Sequence, residues 1–544
     1  MRGQISWIDL AIVLVAFALR LAELGLKPPH FDEGVNGYWV DQMTKDGFYH
    51  YDPGFFHGPL HFYILFFFQT LLGRHLWALR LSTVLFSTAC VILALAYRTL
   101  LNRNACRIAA AAMAVSPGLV FYGRYAIHES EQVFFLMLAL WSGAMWLRGD
   151  DAAATVGRRP RLHFWLAALS LTGMVLTKET YAVHFAACAL AFPTLWFIER
   201  RLPSAPCSYV QPRWPLYAED GINAACVSAA CIFFFYSGGF LDPTSLPGLW
   251  QALAKWQTIG MANKTGHEKP PYYWLDLLRT YEWPALLGLA LALWVVWSRR
   301  DRFGRYLGIY GWGAFVAYSI IHYKTPWCVI SIMWPFYFCF GLVVVWLVEG
   351  RSWPWRLPAG LVTAGLLGAS LYSCVILNYR RYADEENEKY VYVQTSLDIR
   401  RLLDPLAWLV ARNPVYYHTP GHVLISIEES HPLPWLLGDF THVDYLDPKT
   451  APVQMDGAFL VVDDSIVSDT EERLTDRYFR ESFLLRQSSD QSVTVYLNAK
   501  LFAPYFPGRE PEFIPQPLDL QLPASLTSPS APDKPAVLPS VPAP

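Results

Sequence analysis

Charge is scarce in these 544 residues: Asp, Glu, Lys and Arg together make up 16%, against roughly 25% in soluble domains. What charge there is nearly cancels, leaving a net of -2 and no basic stripe. That excludes a nucleic-acid-binding reading. A disulfide framework is missing as well. The nine cysteines fall in apolar runs or beside arginine-rich turns and read as small core residues. No small-residue cleavage site follows the first apolar stretch, which Asp9, Arg20 and Glu23 interrupt, so an uncleaved first membrane helix is expected.

Apolar residues are plentiful, at 54%, and they come in blocks. Many reach the ~20 residues that cross a bilayer as a helix. Spans are expected near 5–26, 77–98, 106–122, 131–147, 162–177, 180–198, 222–240, 284–298, 306–322, 327–349 and 357–378, about eleven in all. Arginine clusters around Arg98 to Arg107, Arg148 to Arg161, Arg200 to Arg213 and Arg299 to Arg305 fall on one side of this pattern. The positive-inside rule makes that side cytoplasmic. We therefore expect a multi-pass protein of the cell inner (plasma) membrane, N-terminus cytoplasmic and C-terminal domain extracytoplasmic. Two long outer segments, 27–76 and 241–283, are rich in aromatics and read as helices lying in the interface.

The expected layout is a membrane domain over 1–378, a small extracytoplasmic α/β domain over 379–505, and a disordered Pro-rich tail over 506–544. In the α/β domain, residues 384–402 have helical character. Strands are expected at Val415–Tyr417, Val423–Ile427, Phe459–Val462 and Val493–Leu497.

Chemistry-bearing residues gather on the outer side. Asp32 and Glu33 follow the first span: one carboxylate could accept a proton while the other orients it, or the pair could cap the next helix. His57 and His61, four apart after a Gly-Pro turn, would share a helix face, either anchoring the loop or holding a metal. No Cys joins them and the His-Glu-x-x-His order is absent, so no metal ligand is assigned. Arg124 could grip a phosphate with its planar fork. Glu129 and Glu131 are costly near a bilayer unless they work or simply start the next helix. Lys178 and Lys324 sit in very short outer turns, the latter beside Trp327. They could meet an anion, neutralise a neighbour or snorkel. Arg20 and Arg80 are further candidates for anion binding.

In combination, Arg20-Leu21, His30-Phe31-Asp32-Glu33, His57-Gly58-Pro59-Leu60, Ala78-Leu79-Arg80-Leu81, Arg124 to Glu129 and Thr177-Lys178-Glu179 resemble the GT-C superfamily of membrane glycosyltransferases. That superfamily includes protein mannosyltransferases and aminoarabinose transferases. Tyr51-Asp52-Pro53, Lys324-Thr325-Pro326-Trp327, Tyr390 to Thr395 and Pro432-Leu433-Pro434-Trp435 are similar to a prokaryotic, flippase-activity-associated Agl-type subfamily. The resemblance implies a GT-C fold and a polyprenyl-phosphate-linked sugar donor. The acceptor would be a lipid, a glycan or a protein, among membrane lipids and without nucleic acid. It implies catalytic roles for Asp32, Glu33 and Glu129, the last at a position usually occupied by Asp. Arg80, Arg124, Lys178 and Lys324 would bind the donor phosphate, while His57, His61, Glu131 and Trp327 position loop and substrate. No cofactor is expected, although some GT-C enzymes use a divalent ion. The competing reading is a transporter or flippase component for lipid-linked sugars.

Overall fold

A computed structural model describes residues 6–55, 57–148, 158–204, 214–262, 266–298, 300–349, 352–447, 455–487 and 491–515. The membrane domain comprises α1 (Trp7–Leu21), α2 (Phe31–Asp46), α3 (Leu60–Leu72), α4 (Leu76–Ala96), α5 (Arg103–Val115), α6 (Pro117–Tyr122), α7 (Glu129–Arg148) and α8 (Arg158–Thr177). It continues through α9 (Tyr181–Arg201), α10 (Trp214–Tyr236), α11 (Gly248–Met261), α12 (Tyr273–Tyr281), α13 (Trp283–Trp297), α14 (Arg302–Ile320), α15 (Val329–Val348) and α16 (Trp353–Tyr379). Each expected span is helical. The one at 106–122 is broken at Ser116, because Pro117 has no N–H to continue the ladder and Ser116 caps the new helix.

Among the described residues, six helices are long and apolar enough to cross a membrane by length and composition. In α15, 89% of the apolar stretch is inside the protein, against 11% in the helix ending at Tyr236, so α15 is the hub and α10 faces outward. Small residues let the neighbours close on it. A Cβ on Gly341 would lie 2.3 Å from the Ala105 carbonyl oxygen, and one on Gly288 1.8 Å from that of Phe336. Backbones therefore meet directly, as expected where burial alone gives no drive between helices. At the arginine-rich end, the nearly buried Asp9 accepts from Arg98 (2.9 Å) and Arg107 (2.6 Å), tying the start of α1 to the α4–α5 turn.

The interfacial segments are helical: α2 and α3 in the first, α11 and α12 in the second. The extramembrane domain carries α17 (Arg400–Arg412) and a five-stranded sheet of order β2-β1-β3-β5-β4. Its strands are β1 (Gly421–Leu424), β2 (Val443–Tyr445), β3 (Phe459–Asp463), β4 (Tyr478–Arg486) and β5 (Gln491–Asn498). β1 runs parallel to β2 and β3, while β3, β5 and β4 are antiparallel. β3 is apolar without alternation because both of its faces are covered. Phe459 and Val461 join Leu402, Leu406 and Leu409 of α17, and Leu460 and Val462 join Tyr478 and Tyr496.

Three local expectations give way here. Val415-Tyr416-Tyr417 lies in a 3-10 turn capped by Asn413, since Pro414 favours a helical start over a ladder position. The helix expected over 384–402 begins only at Arg400, and Tyr390 to Thr395 form a strap against the membrane domain, with Tyr390 and Val391 buried there. β2 and β4 were not anticipated. Beyond residue 505 the chain stays on the sheet, Phe513 pairing with Tyr478 through two 3.0 Å backbone bonds. Residues 516–544, most of the expected tail, lie outside the described residues.

Candidate active site

The two adjacent carboxylates at the start of α2 have opposite surroundings. His30 is the N-cap and Glu33 the third helical residue, which completes a reciprocal capping box. Glu33 is fully buried and accepts the His30 N–H (2.8 Å), the Ala126 N–H (2.9 Å) and two Arg80 donors (2.7 and 2.6 Å). Burial alone would raise its pKa, but Arg80 outweighs that and holds it below the ordinary value. Asp32, about 100° further back around the helix, faces a cavity of about 720 Å³. Its side chain is 37% exposed, and among the described residues no donor hydrogen-bonds to its carboxylate. His30 supplies no countercharge. Its Nδ1 accepts the Asp32 N–H (3.0 Å) and its Nε2 must donate to the Tyr392 carbonyl (2.7 Å), which describes a neutral ring.

Across the cavity, acids and bases come in pairs. Lys178 donates to Glu129, both buried and both in the wall. Burial pulls the Lys178 pKa down, but Glu129 beside it more than compensates and holds it well above the ordinary value. His57 Nδ1 lies 2.8 Å from Glu179, whose pKa burial would raise and His57 with Lys178 keeps low. His61 pairs with Glu131 at 2.9 Å behind the wall, both fully buried. The ring of His128 lies between the two histidines, 4.5 Å from His57 and 4.1 Å from His61. Burial first, and then these neighbours, press the His128 pKa well below 6.5. His57 and His61 thus converge through His128 rather than along one helix face, because α3 begins only at Leu60. Among the described residues no group of three or more His, Cys, Asp or Glu side chains could hold a metal ion.

The arginines expected at a phosphate are elsewhere. Besides Glu33, Arg80 donates to the carbonyls of Leu24 (2.8 Å), Lys27 (2.9 Å) and Pro28 (3.1 Å), bracing the loop that leads to Asp32. Arg124 donates to Ala22 (2.5 Å) and Glu23 (3.0 Å) at the end of α1 and to Tyr379 Oη (3.2 Å). Arg20 reaches the Met113 (3.1 Å) and Ala114 (3.3 Å) carbonyls at the end of α5. Helix C-termini expose unpaired carbonyls and partial negative charge, which a buried guanidinium satisfies. These three residues do not line the cavity. Lys324 is also spent on backbone, donating to the Lys269 (3.1 Å) and Ile321 carbonyls. Trp327 does line it, edge-on to His30 at 5.4 Å between ring centres.

Several wall residues escaped the sequence reading. Tyr392 comes from the strap, its Oη 2.9 Å from His267 Nδ1, and Lys269 lies beside them. Arg486, Glu428 and Glu429 enter from the extramembrane domain. That domain docks through Pro432 to Trp435, the segment singled out in sequence, onto the glycine face of α2. A Cβ on Gly34 would lie 2.4 Å from Pro432, and one on Gly37 2.5 Å from the Trp435 ring. The Gly34–Gly37 spacing, one helical turn, was the legible signal for this contact.

Comparison with known proteins now bears on the arrangement. Residues 56–210 match the model of the dolichyl-phosphate-mannose-protein mannosyltransferase family. No curated protein matches the chain in sequence. In structure the chain is similar to ArnT from Cupriavidus metallidurans bound to undecaprenyl phosphate, with TM-score 0.59, 14% identity, and 92% of this chain and 99% of that one covered. It is also similar to the Archaeoglobus fulgidus oligosaccharyltransferase tethered with an acceptor peptide, with TM-score 0.56, 12% identity, and 91% and 76% covered. The archaeal oligosaccharyltransferase AglB from Archaeoglobus fulgidus, in complex with an inhibitory peptide and a dolichol-phosphate, gives TM-score 0.51, 12% identity, and 91% and 75% covered. The expected GT-C fold is therefore what the chain adopts, as a polytopic helical membrane protein with a small C-terminal sheet domain.

Proposed function

We propose that this GT-C-fold chain transfers a sugar from a polyprenyl-phosphate donor to an acceptor hydroxyl at the outer membrane face, with Asp32 as general base. The observation that carries the reading is the contrast within one dipeptide: Glu33 is bonded on every side, while Asp32 stands unbonded in the cavity wall. In the proposed reaction, the acceptor oxygen attacks the anomeric carbon as its proton passes to Asp32. The bond from that carbon to the phosphate oxygen breaks, the configuration inverts, and the lipid phosphate leaves with the electron pair. Lys178, fixed by Glu129, and His57, fixed by Glu179, supply preorganised donors for the developing phosphate charge. Arg80, Arg124 and Lys324 act as positioning residues, since carbonyls and Glu33 occupy their donors. Orientation with the C-terminal domain outside the cytoplasm belongs to the same reading and rests on the arginine asymmetry. The family match and the undecaprenyl and dolichol phosphates named for the structural neighbours support the donor class.

The test is Asp32→Asn in purified full-length protein with a polyprenyl-phosphate sugar. Transfer should fall by about 10²–10⁴-fold, the usual contribution of a positioned acid or base, while donor binding holds. Turnover that survives with folding intact removes Asp32 as base. Movement of labelled lipid across vesicles with the sugar–phosphate bond unbroken would instead make the protein a flippase.

A further inference from the structure

Arg486 has an unusual position for a residue of the extramembrane sheet. The β4–β5 ladder shifts register between Leu484 and Arg486, and Arg486, the last residue of β4, pairs with Gln491 of β5 and also bridges to Thr395 of the strap. A bulge of this kind re-aims the side chain that follows it. Here it puts Arg486 in the wall of the cavity that holds Asp32, with its guanidinium 4.6 Å from the centre of the Phe31 ring.

The residue is 5% exposed. Its terminal nitrogens donate to the carbonyls of Glu429 (2.7 Å) and His431 (3.3 Å) and to Gln491 Oε1, which fixes the fork from behind. Its Nε–H has no partner among the described residues. The charges of Glu429, Glu385 and Asp32 act on it, and Arg486 forms no ion pair among the described residues. A buried guanidinium without a carboxylate partner is costly unless something else supplies the countercharge. Lys178, across the same cavity, already has a carboxylate in Glu129.

We propose that Arg486 binds an oxyanion of the substrate beside Asp32, so that the extramembrane domain contributes a substrate contact and not only a cover. This rests on the transferase reading above and names a phosphate-class group as the ligand. Its source is either the lipid phosphate of the donor or an anionic group on the acceptor.

The test uses purified full-length protein in nanodiscs with three probes: undecaprenyl phosphate, undecaprenol and inorganic phosphate. Arg486→Met should weaken undecaprenyl-phosphate binding by about 10–100-fold, as loss of a charge-assisted contact implies, with undecaprenol binding unchanged. Arg486→Lys should restore part of the loss. Gln491→Glu keeps the arginine but neutralises it, so it should reproduce the loss even if Arg486→Met folds poorly. Unchanged lipid-phosphate affinity, with inorganic phosphate protecting wild type but not the variants from thermal unfolding, assigns the oxyanion to the acceptor side. Equal behaviour of wild type and both neutralised variants toward both phosphates overturns the proposal. Failure of wild type to bind undecaprenyl phosphate sinks the preceding reading instead, and the inorganic-phosphate arm alone then decides Arg486.

Discussion

Replacing Arg80 by Met separates a phosphate-binding role from a positioning one. In the fold this guanidinium makes two bonds to the fully buried Glu33 and three to the carbonyls of Leu24, Lys27 and Pro28. Removing it leaves a buried carboxylate unpaired and three carbonyls short of a donor. Breaking one side of a buried ion pair costs about 3–5 kcal/mol. A thermal melt in detergent, or an unfolding midpoint in SDS, should register a loss of that order. Glu33→Gln should cost less, because a neutral amide tolerates burial better than a lone carboxylate. In the double variant the pair is already gone, so the two costs should fall short of additive by about 1–3 kcal/mol. The pH dependence has a defined sign. Glu33 has a folded pKa below its ordinary value, so its contribution is present above about pH 4.3 and is lost as pH falls through the folded value. Arg80→Met and Glu33→Gln should both flatten that acid limb. Additive costs, or an unshifted melt accompanied by a raised donor KM, would refute the positioning role and return Arg80 to the phosphate.

The other predictions concern the docking contact and the paired bases. Gly37→Ala drives a Cβ into the Trp435 ring and should loosen the extramembrane domain by about 1–3 kcal/mol. Faster hydrogen exchange in residues 430–440 would reveal this, and unchanged exchange would contradict the contact. Lys178→Met strips Glu129 of its partner and should cut transfer by about 10²–10³-fold, with Lys178→Arg recovering part; full activity in Lys178→Met removes it from the mechanism. His128 is held neutral in the fold, so the unfolded chain takes up its proton first as pH drops below about 6.5. Stability should then decline by up to about 1.4 kcal/mol per pH unit, and His128→Asn should abolish that slope without moving the pH optimum of transfer.

How much of this could be read from the chain depended on whether a residue's partner was close in sequence. Membrane helices are legible because each buries its own backbone bonds and must be apolar over a fixed length. Asp32-Glu33 was legible as a candidate pair because it follows a span in an aromatic loop. Which carboxylate stays free was not, since Glu33 is claimed by Arg80, 47 residues away, and by Ala126, 93 residues away. The histidine pair misled for the same reason. A four-residue spacing suggested one helix face, but Gly58 and Pro59 delay α3 to Leu60 and His128 comes between the rings from another segment. The strap at Tyr390 to Thr395 was hidden by charged, helix-like neighbours, and β4 by alternating charges that a strand edge tolerates.

Composition and pattern by themselves determined a polytopic helical protein with its reactive side chains gathered at one end, because the bilayer's thickness and its intolerance of charge act on every residue locally. Tertiary structure decided which of those side chains remain available. Arg20, Arg80 and Arg124 are spent on helix-end and loop carbonyls, and Lys178 and His57 on carboxylates, while Asp32 is left facing the cavity and the Arg486 Nε–H is left without a partner among the described residues. A buried charge or hydrogen-bond donor must find a partner, and which partner it finds is fixed only when distant segments meet.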